Sequence, residues 1–270
     1  MSARISVLMS VYNNEDTVSD SIASIVAQTY ADWELLLVDD KSADGSLHIL
    51  ADWAQRDRRI RLIQNERNMG LAASLNRALE KARGEYVARM DGDDISLPHR
   101  FEKQIAFLDA HPEYAIVGSS ALVFDREGVW ETRTCKEFPQ KKDFLWGTQF
   151  IHPSVMMRRE ALLAVGGYRV CRDTLRTEDY DLFMRMYAYG FTGYNLAEPL
   201  LRYYDPRHPK AVRYRFRISE ARIRWQGFRA LGLMPAGLPY VLKPLVVGLL
   251  PGGLKRRLQR LHASRTGGGV

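Results

Sequence analysis

Glu85-Tyr86-Val87-Ala88-Arg89-Met90-Asp91-Gly92-Asp93-Asp94 is the stretch that decides the fold. Its first half, Tyr86–Met90, reads as a short strand, and its acidic half as the loop leaving that strand. Three carboxylates in four residues repel each other. At ~4 Å a like pair costs from about 1 kcal/mol in water to about 4 kcal/mol at an effective dielectric of 20. A divalent cation removes that penalty, and hard oxygen donors select Mg²⁺ or Mn²⁺, typically shared with substrate phosphates. Gly92 lets the backbone approach a ligand closely. The same residues also suit a solvated acidic turn before a helix beginning near Pro98.

Working outward, the first half alternates strand-like and helix-like segments. Ile5–Val11, Trp33–Val38 and Ile60–Ile63 are short apolar runs. Thr17–Gln28, Leu47–Trp53 and Leu71–Ala82 carry helical spacing between them. This order predicts an α/β fold, a Rossmann-like, mostly parallel central sheet with flanking helices. Continuous rather than alternating hydrophobicity agrees, because such strands are buried on both faces. Ligands bind beyond the carboxyl ends of strands in such sheets. The loops after Val11, Val38 and Met90 are therefore the candidate site. Asp39-Asp40 ends the second strand, where a carboxylate can accept from a base N–H or a ribose hydroxyl; it can equally cap the next helix. Asn68-Met69-Gly70 opens the third helix, whose amides can face phosphate.

The second half is less regular. Helices are expected over Pro98–Ala110, Arg158–Val165 and Asp179–Tyr189, and strands over Ala115–Phe124 and Val129–Cys135. Composition is that of an ordinary globular chain of 270 residues with 46% apolar and 26% charged residues, which excludes collagen, coiled coil and wholesale disorder. Two cysteines, Cys135 and Cys171, exclude a disulfide scaffold and fit a reducing, cytosolic setting. The N-terminus lacks the pattern of a signal peptide.

Charge divides the chain at about residue 206. Residues 207–270 carry 14 Lys/Arg against one acid, Glu220, whereas residues 1–206 are net acidic. Leu231–Leu254 is apolar apart from Lys243, but Pro235, Pro239, Pro244 and Pro251 interrupt it. Interior prolines free carbonyls that lipid cannot satisfy. The pattern favours a helical tail lying in the membrane interface, with bases of 222–260 against anionic headgroups. A helix pair packed on the domain is the alternative. Prolines and aliphatics among the bases fit lipid rather than nucleic acid.

Ser10-Val11-Tyr12-Asn13, Val38-Asp39-Asp40-Lys41-Ser42, Asn68-Met69-Gly70-Leu71, Asp91-Gly92-Asp93-Asp94 and Thr177-Glu178-Asp179-Tyr180-Asp181 follow one another in order. In this the chain resembles family 2 glycosyltransferases, inverting enzymes of the GT-A fold, over roughly residues 4–205. It is most similar to those of bacterial exopolysaccharide and lipopolysaccharide synthesis. The resemblance implies a GT-A domain over 1–206, with a nucleotide-binding half over 1–94 and an acceptor half over 95–206, before the 207–270 extension. It places Val11, Tyr12 and Glu15 beside the base, Asp40 on uracil, and Asp39 and Asn68 near the nucleoside. It brings Arg77 toward the diphosphate and Asp91 to the ribose, and gives the metal to Asp93 with Asp91. Asp179 becomes the catalytic base, its pKa raised by Glu178 and Asp181 crowding it with negative charge. His152, Glu178 and His208 fall where acceptor or phosphate contacts lie.

The implied reaction is metal-dependent transfer of one sugar from a nucleotide-sugar, UDP being favoured, to a glycan or lipid-linked acceptor. It would occur in the cytoplasm at the inner face of the membrane. Processive synthases of the superfamily carry Gln-x-x-Arg-Trp; Arg224-Trp225 is present here, but Ala221 replaces the glutamine. Two other classes are a sugar nucleotidyltransferase and an idle binding protein with the same fold. The first needs a basic, Gly-rich early loop that Val11–Val18 lacks; the second is disfavoured by the intact Asp91, Asp93 and Asp179.

Overall fold

The computed structural model describes residues 3–207 and 213–249. His208 and the basic residues Lys255, Arg256, Arg257 and Arg260 lie outside the described residues. The strands are β1 (Ile5–Val11), β2 (Trp33–Asp39), β3 (Ile60–Gln64), β4 (Tyr86–Asp91), β5 (Ile95–Ser96), β6 (Ile116–Asp125), β7 (Gly128–Arg133), β8 (Met156–Arg158) and β9 (Gly193–Tyr204). The helices are α1 (Val18–Val26), α2 (Ser46–Arg56), α3 (Leu71–Lys81), α4 (Arg100–Ala110), α5 (Arg159–Ala164), α6 (Glu178–Tyr189), α7 (Tyr214–Ala230) and α8 (Leu238–Leu249).

All strands join one nine-stranded sheet, ordered β3-β2-β1-β4-β8-β6-β9-β5, with β7 hydrogen-bonded to β6. The first four are parallel, as their continuous apolar runs predict. The rest corrects the expected mostly parallel sheet. Strand β8 lies antiparallel between β4 and β6, β6 and β9 are parallel, β5 pairs antiparallel with β9, and β7 antiparallel with β6. The sheet is therefore mixed. Strand β8 has three residues, too few for a periodic signal. Strand β9 carries Pro199 where its register with β6 slips, so its pattern is broken.

Alternation along the strands separates two cores. Ile5, Val7, Met9 and Val11 of β1 pack toward Val18 and Ile22 of α1, Leu50 of α2 and Phe101 of α4. Leu8, Leu36 and Val38 face the opposite way, toward Leu75 of α3, Phe183 of α6 and Phe228 of α7. In β4, Tyr86, Ala88 and Met90 join the first core and Val87 the second. Arg89 and Asp91, in step with Val87, are thereby directed to the side that holds α6.

The tail is helical where described, with one side of α8 packed on the body. Val241 of α8 is buried in the same core as Ile223 and Phe228 of α7. No described helix is long and apolar enough to cross a membrane.

A buried polar pair splices β4, β8 and β6. Arg100 donates to the carbonyls of Arg89 at 2.9 Å and Val155 at 3.3 Å, and to Gln104 Oε1 at 3.0 Å. Gln104 donates to the carbonyls of Ser154 at 2.7 Å and Val117 at 3.2 Å. Among the described residues no carboxylate pairs with Arg100, and burial lowers its pKa to about 9. Gln104→Leu strands two carbonyls and one guanidinium N–H at roughly 1–3 kcal/mol each. Chemical denaturation should show a loss of about 3 kcal/mol; a loss below 1 kcal/mol would show that the splice does not depend on this side chain.

Candidate active site

The strand order reverses at β1, whose neighbours are β2 and β4. Register sets Val11 opposite Asp39 and Ser10 opposite Asp91. The three loops singled out in the sequence therefore converge where a ligand crevice belongs. Cross-loop hydrogen bonds hold them. Ser42 Oγ accepts the Asn13 N–H at 3.1 Å, Ser46 Oγ the Asn14 N–H at 2.8 Å, and Glu15 Oε2 the Gly45 N–H at 2.6 Å. Asn13 and Lys41 adopt left-handed backbone, with φ of 55° and 63°. Thr17 Oγ1 donates to the Gly92 carbonyl at 2.8 Å, tying α1 to the acidic loop.

The structure gives Asp40 a second occupation besides the expected base contact. Its carboxylate accepts from Asn65 Nδ2 at 2.7 Å, the Met69 N–H at 2.7 Å and the Gly70 N–H at 2.8 Å. A carboxylate offers about four acceptor positions, so one remains. Asp39 is buried and accepts the Ser42 N–H at 3.2 Å. Tyr12 and Asn68 are exposed, on the loop after β1 and on the loop before α3. Arg77, expected near the diphosphate, donates to Asn65 Oδ1 and, at 3.1 Å, to the carbonyl of Gln64 at the end of β3. It lines none of the cavities described below.

The carboxylates of Asp91, Asp93 and Asp94 place an oxygen each within 4.8 Å of one another. Asp94 Oδ1 accepts the Tyr204 N–H at 2.8 Å, while its buried Oδ2 has no partner among the described residues. Burial, reinforced by Asp91, raises the Asp93 carboxyl to about 6, and Asp94 is raised well above the ordinary range by burial and both neighbours. Crowded hard oxygens with one orphan fit a Mg²⁺ or Mn²⁺ ion.

This cluster stands between two cavities. One, of about 780 Å³, has Glu15, Asp44, Asp93 and Tyr204 in its wall. The other, of about 420 Å³, is lined by Arg89, Asp91, His152, Glu178 and Asp179. Asp179 occupies the first turn of α6, where the helix dipole favours an anion. Burial raises the Asp179 carboxyl, opposed by the Tyr180 N–H and by Arg89. The expected crowding by Asp181 is corrected: Asp181 is buried and paired with Arg185 at 2.7 Å and Arg169 at 3.2 Å. Glu178 is raised by burial. His152 accepts or donates to the Tyr168 hydroxyl at 2.8 Å, and burial with Arg89 nearby keeps it neutral.

Asp179 also borders a third cavity of about 290 Å³, with Thr148, Arg176, Glu220 and Arg224. Arg224 of α7 pairs with Glu220 at 3.0 Å and stands over the Tyr180 ring. Trp225 is exposed and Ala221 buried. Three participants went unread in the sequence: Arg89, Tyr168 and Arg176. Counting back two positions along β4 from Asp91 would have found Arg89; no sequence signal marks the other two.

The family model for glycosyl transferase family 2 matches residues 6–166. Over 259 residues the chain is 42% identical to EpsE of Bacillus subtilis (strain 168), a protein named for a glycosyltransferase, covering 95% of this chain and 93% of that one. It is 33% identical over 205 residues to the amylovoran biosynthesis glycosyltransferase AmsE of Erwinia amylovora, covering 73% and 74%. The crystal structure of S. aureus TarS 1-349 with UDP-GlcNAc superposes with a TM-score of 0.71 at 18% identity, covering 89% of this chain and 73% of that one. The protein belongs to glycosyl transferase family 2 and is a glycosyltransferase with the GT-A fold.

Protons and metal compete for Asp93. Mn²⁺ affinity, measured by calorimetry without nucleotide, should fall as pH drops through about 6. Asp93→Asn should weaken it about tenfold or more at pH 7.5. Affinity flat from pH 7.5 to 5 would remove Asp93 from the metal site.

Proposed function

We propose that the protein transfers one sugar, with inversion, from a UDP-sugar to a lipid-linked glycan acceptor during surface or extracellular polysaccharide synthesis. The observation that carries this reading is Asp179 standing between two cavities. The cavity shared with Asp91 suits the donor sugar, and the one beside Arg176 and Arg224 suits the acceptor. The nucleoside lies over the ends of β1 and β2, against Val11, Tyr12, Asp39 and the free acceptor position of Asp40. Asp91 and Asp93 would hold a Mg²⁺ or Mn²⁺ ion, which when bound would supply positive charge to the leaving diphosphate.

The protein's own groups then have separate tasks. Among the described residues no side chain hydrogen-bonds to Asp179, and its raised pKa suits it to take the proton of the acceptor hydroxyl. Attack from the side opposite the leaving group in one displacement inverts the anomeric carbon. Glu178 and the neutral His152 stand beside that position to orient hydroxyls. The relatives' names place similar chains in polysaccharide synthesis. Asp179→Asn should lower transfer by about 100-fold or more while leaving UDP affinity within a few fold. Turnover within tenfold of the native enzyme would remove Asp179 as base.

Membrane contact is part of the same reading. Leu238, Leu242, Val246 and Leu249 of α8 are 42%, 48%, 59% and 72% exposed. Steps of four, four and three place them on one face, about a quarter turn from the buried Val241 and nearly opposite the buried Pro244. Arg213, Arg215, Arg222 and Arg229 are exposed on or beside α7. An apolar stripe flanked by bases matches an anionic leaflet, where a lipid-linked acceptor is presented at the cytoplasmic face. Leu242→Glu with Val246→Glu alters exposed positions only. The pair should lose flotation on vesicles containing phosphatidylglycerol without a change in melting temperature. Flotation equal to the native chain would detach the tail from membrane binding.

A further inference from the structure

Arg89 sits in the middle of β4, two residues before Asp91 and on the same face. Its side chain is 3% exposed. It forms an ion pair with Asp91, yet neither Nε nor Nη1 makes a well-directed hydrogen bond among the described residues. A guanidinium has five N–H donors, and burying them unused is costly. This one lines the 420 Å³ cavity that also holds Asp91 and Asp179.

Charge decides what those donors can meet. Asp91, Glu178 and Asp179 line the cavity with Arg89 and Arg133; Arg133 is already paired with Glu131 and Asp205, and His152 is neutral. An anionic ligand group would add to an acidic surplus. A neutral polyol does not, and its hydroxyl oxygens accept hydrogen bonds. The backbone of β4 also fixes the arginine closely, because Arg89 N–H donates to the Val155 carbonyl and its own carbonyl accepts from Arg100.

We propose that Arg89 is a specificity-determining residue that donates to a hydroxyl of the transferred sugar while paired with Asp91. The inference rests on the donor-site reading above and names the sugar-recognising group within it. One side chain then spans two parts of the donor. Its pair with Asp91 joins it to the carboxylate assigned to ribose and metal, and its spare donors hold the hexose ring against Asp179. A lysine keeps the charge but loses the planar fork.

The test compares UDP with UDP-sugars on the full chain by calorimetry with Mn²⁺. The probes are UDP, UDP-glucose, UDP-galactose, UDP-N-acetylglucosamine and UDP-glucuronate. In Arg89→Lys the sugar-nucleotide bound best by the native chain should weaken about tenfold or more, with UDP affinity within threefold. Equal weakening of UDP and UDP-sugar would reduce Arg89 to a support for Asp91 and overturn the proposal. So would unchanged affinities, or tight binding of UDP-glucuronate alone, which would make the partner a carboxylate. If Arg89→Lys does not fold, deoxy analogues of the best UDP-sugar bound to the native chain replace it. One ring position should then lose about tenfold, and uniform affinity across all positions overturns the claim. Failure of the native chain to bind UDP at all would instead strike the donor-site reading.

Discussion

Like charges crowded at the end of β4 are the constraint around which the site is built. Asp91, Asp93 and Asp94 bring their oxygens within 4.8 Å, an arrangement that costs a few kcal/mol per pair at intermediate dielectric. The protein answers part of that cost from beneath. Arg89 pairs with Asp91, and the Tyr204 N–H reaches Asp94. The remainder is left for a ligand. A site that is unfavourable when empty and relieved by a divalent cation couples metal binding to order in the acidic loop. Period-two alternation along β4 does the placing. It aims Arg89 and Asp91 at α6 and sends Tyr86, Ala88 and Met90 into the opposite core.

Much of this was legible in the sequence because the parallel half announces itself. Trp33–Asp39 is buried at every position, so its hydrophobic run is continuous, and the strand-end acids follow directly. Asp91, His152 and Asp179, each singled out in the sequence, line one cavity. What stayed hidden depends on long-range pairing. Strand β8 exists because β4 and β6 leave a slot between them, and three residues carry no period. Strand β9 is interrupted by Pro199. The charge of Asp181 could be counted but not its neutralisation, since Arg169 and Arg185 reach it only after α6 docks. Arg77 could be placed on α3 but not aimed, and Asn65 captures it.

The C-terminal helices pack on the body by one side and leave an apolar stripe exposed on another. Val241 closes the core under α6, while Leu238, Leu242, Val246 and Leu249 stay outside. Helix α7 links this exposed stripe to chemistry, because Glu220 and Arg224 line the cavity that Asp179 borders. A single helix, α7, therefore joins the apolar surface to the cavity that Asp179 borders.

The central claim is that the strand ends bind a nucleotide only through a metal ion. The most direct measurement is thermal shift of the full chain with UDP, dTDP or GDP, each with and without Mn²⁺. Ligand at ~100 times its dissociation constant adds about 2.7 kcal/mol, or several degrees at roughly 2–4 °C per kcal/mol. The account predicts such a shift with UDP and Mn²⁺ together and little with either alone. A shift with UDP that does not depend on the metal, or no shift with any nucleotide, would contradict it.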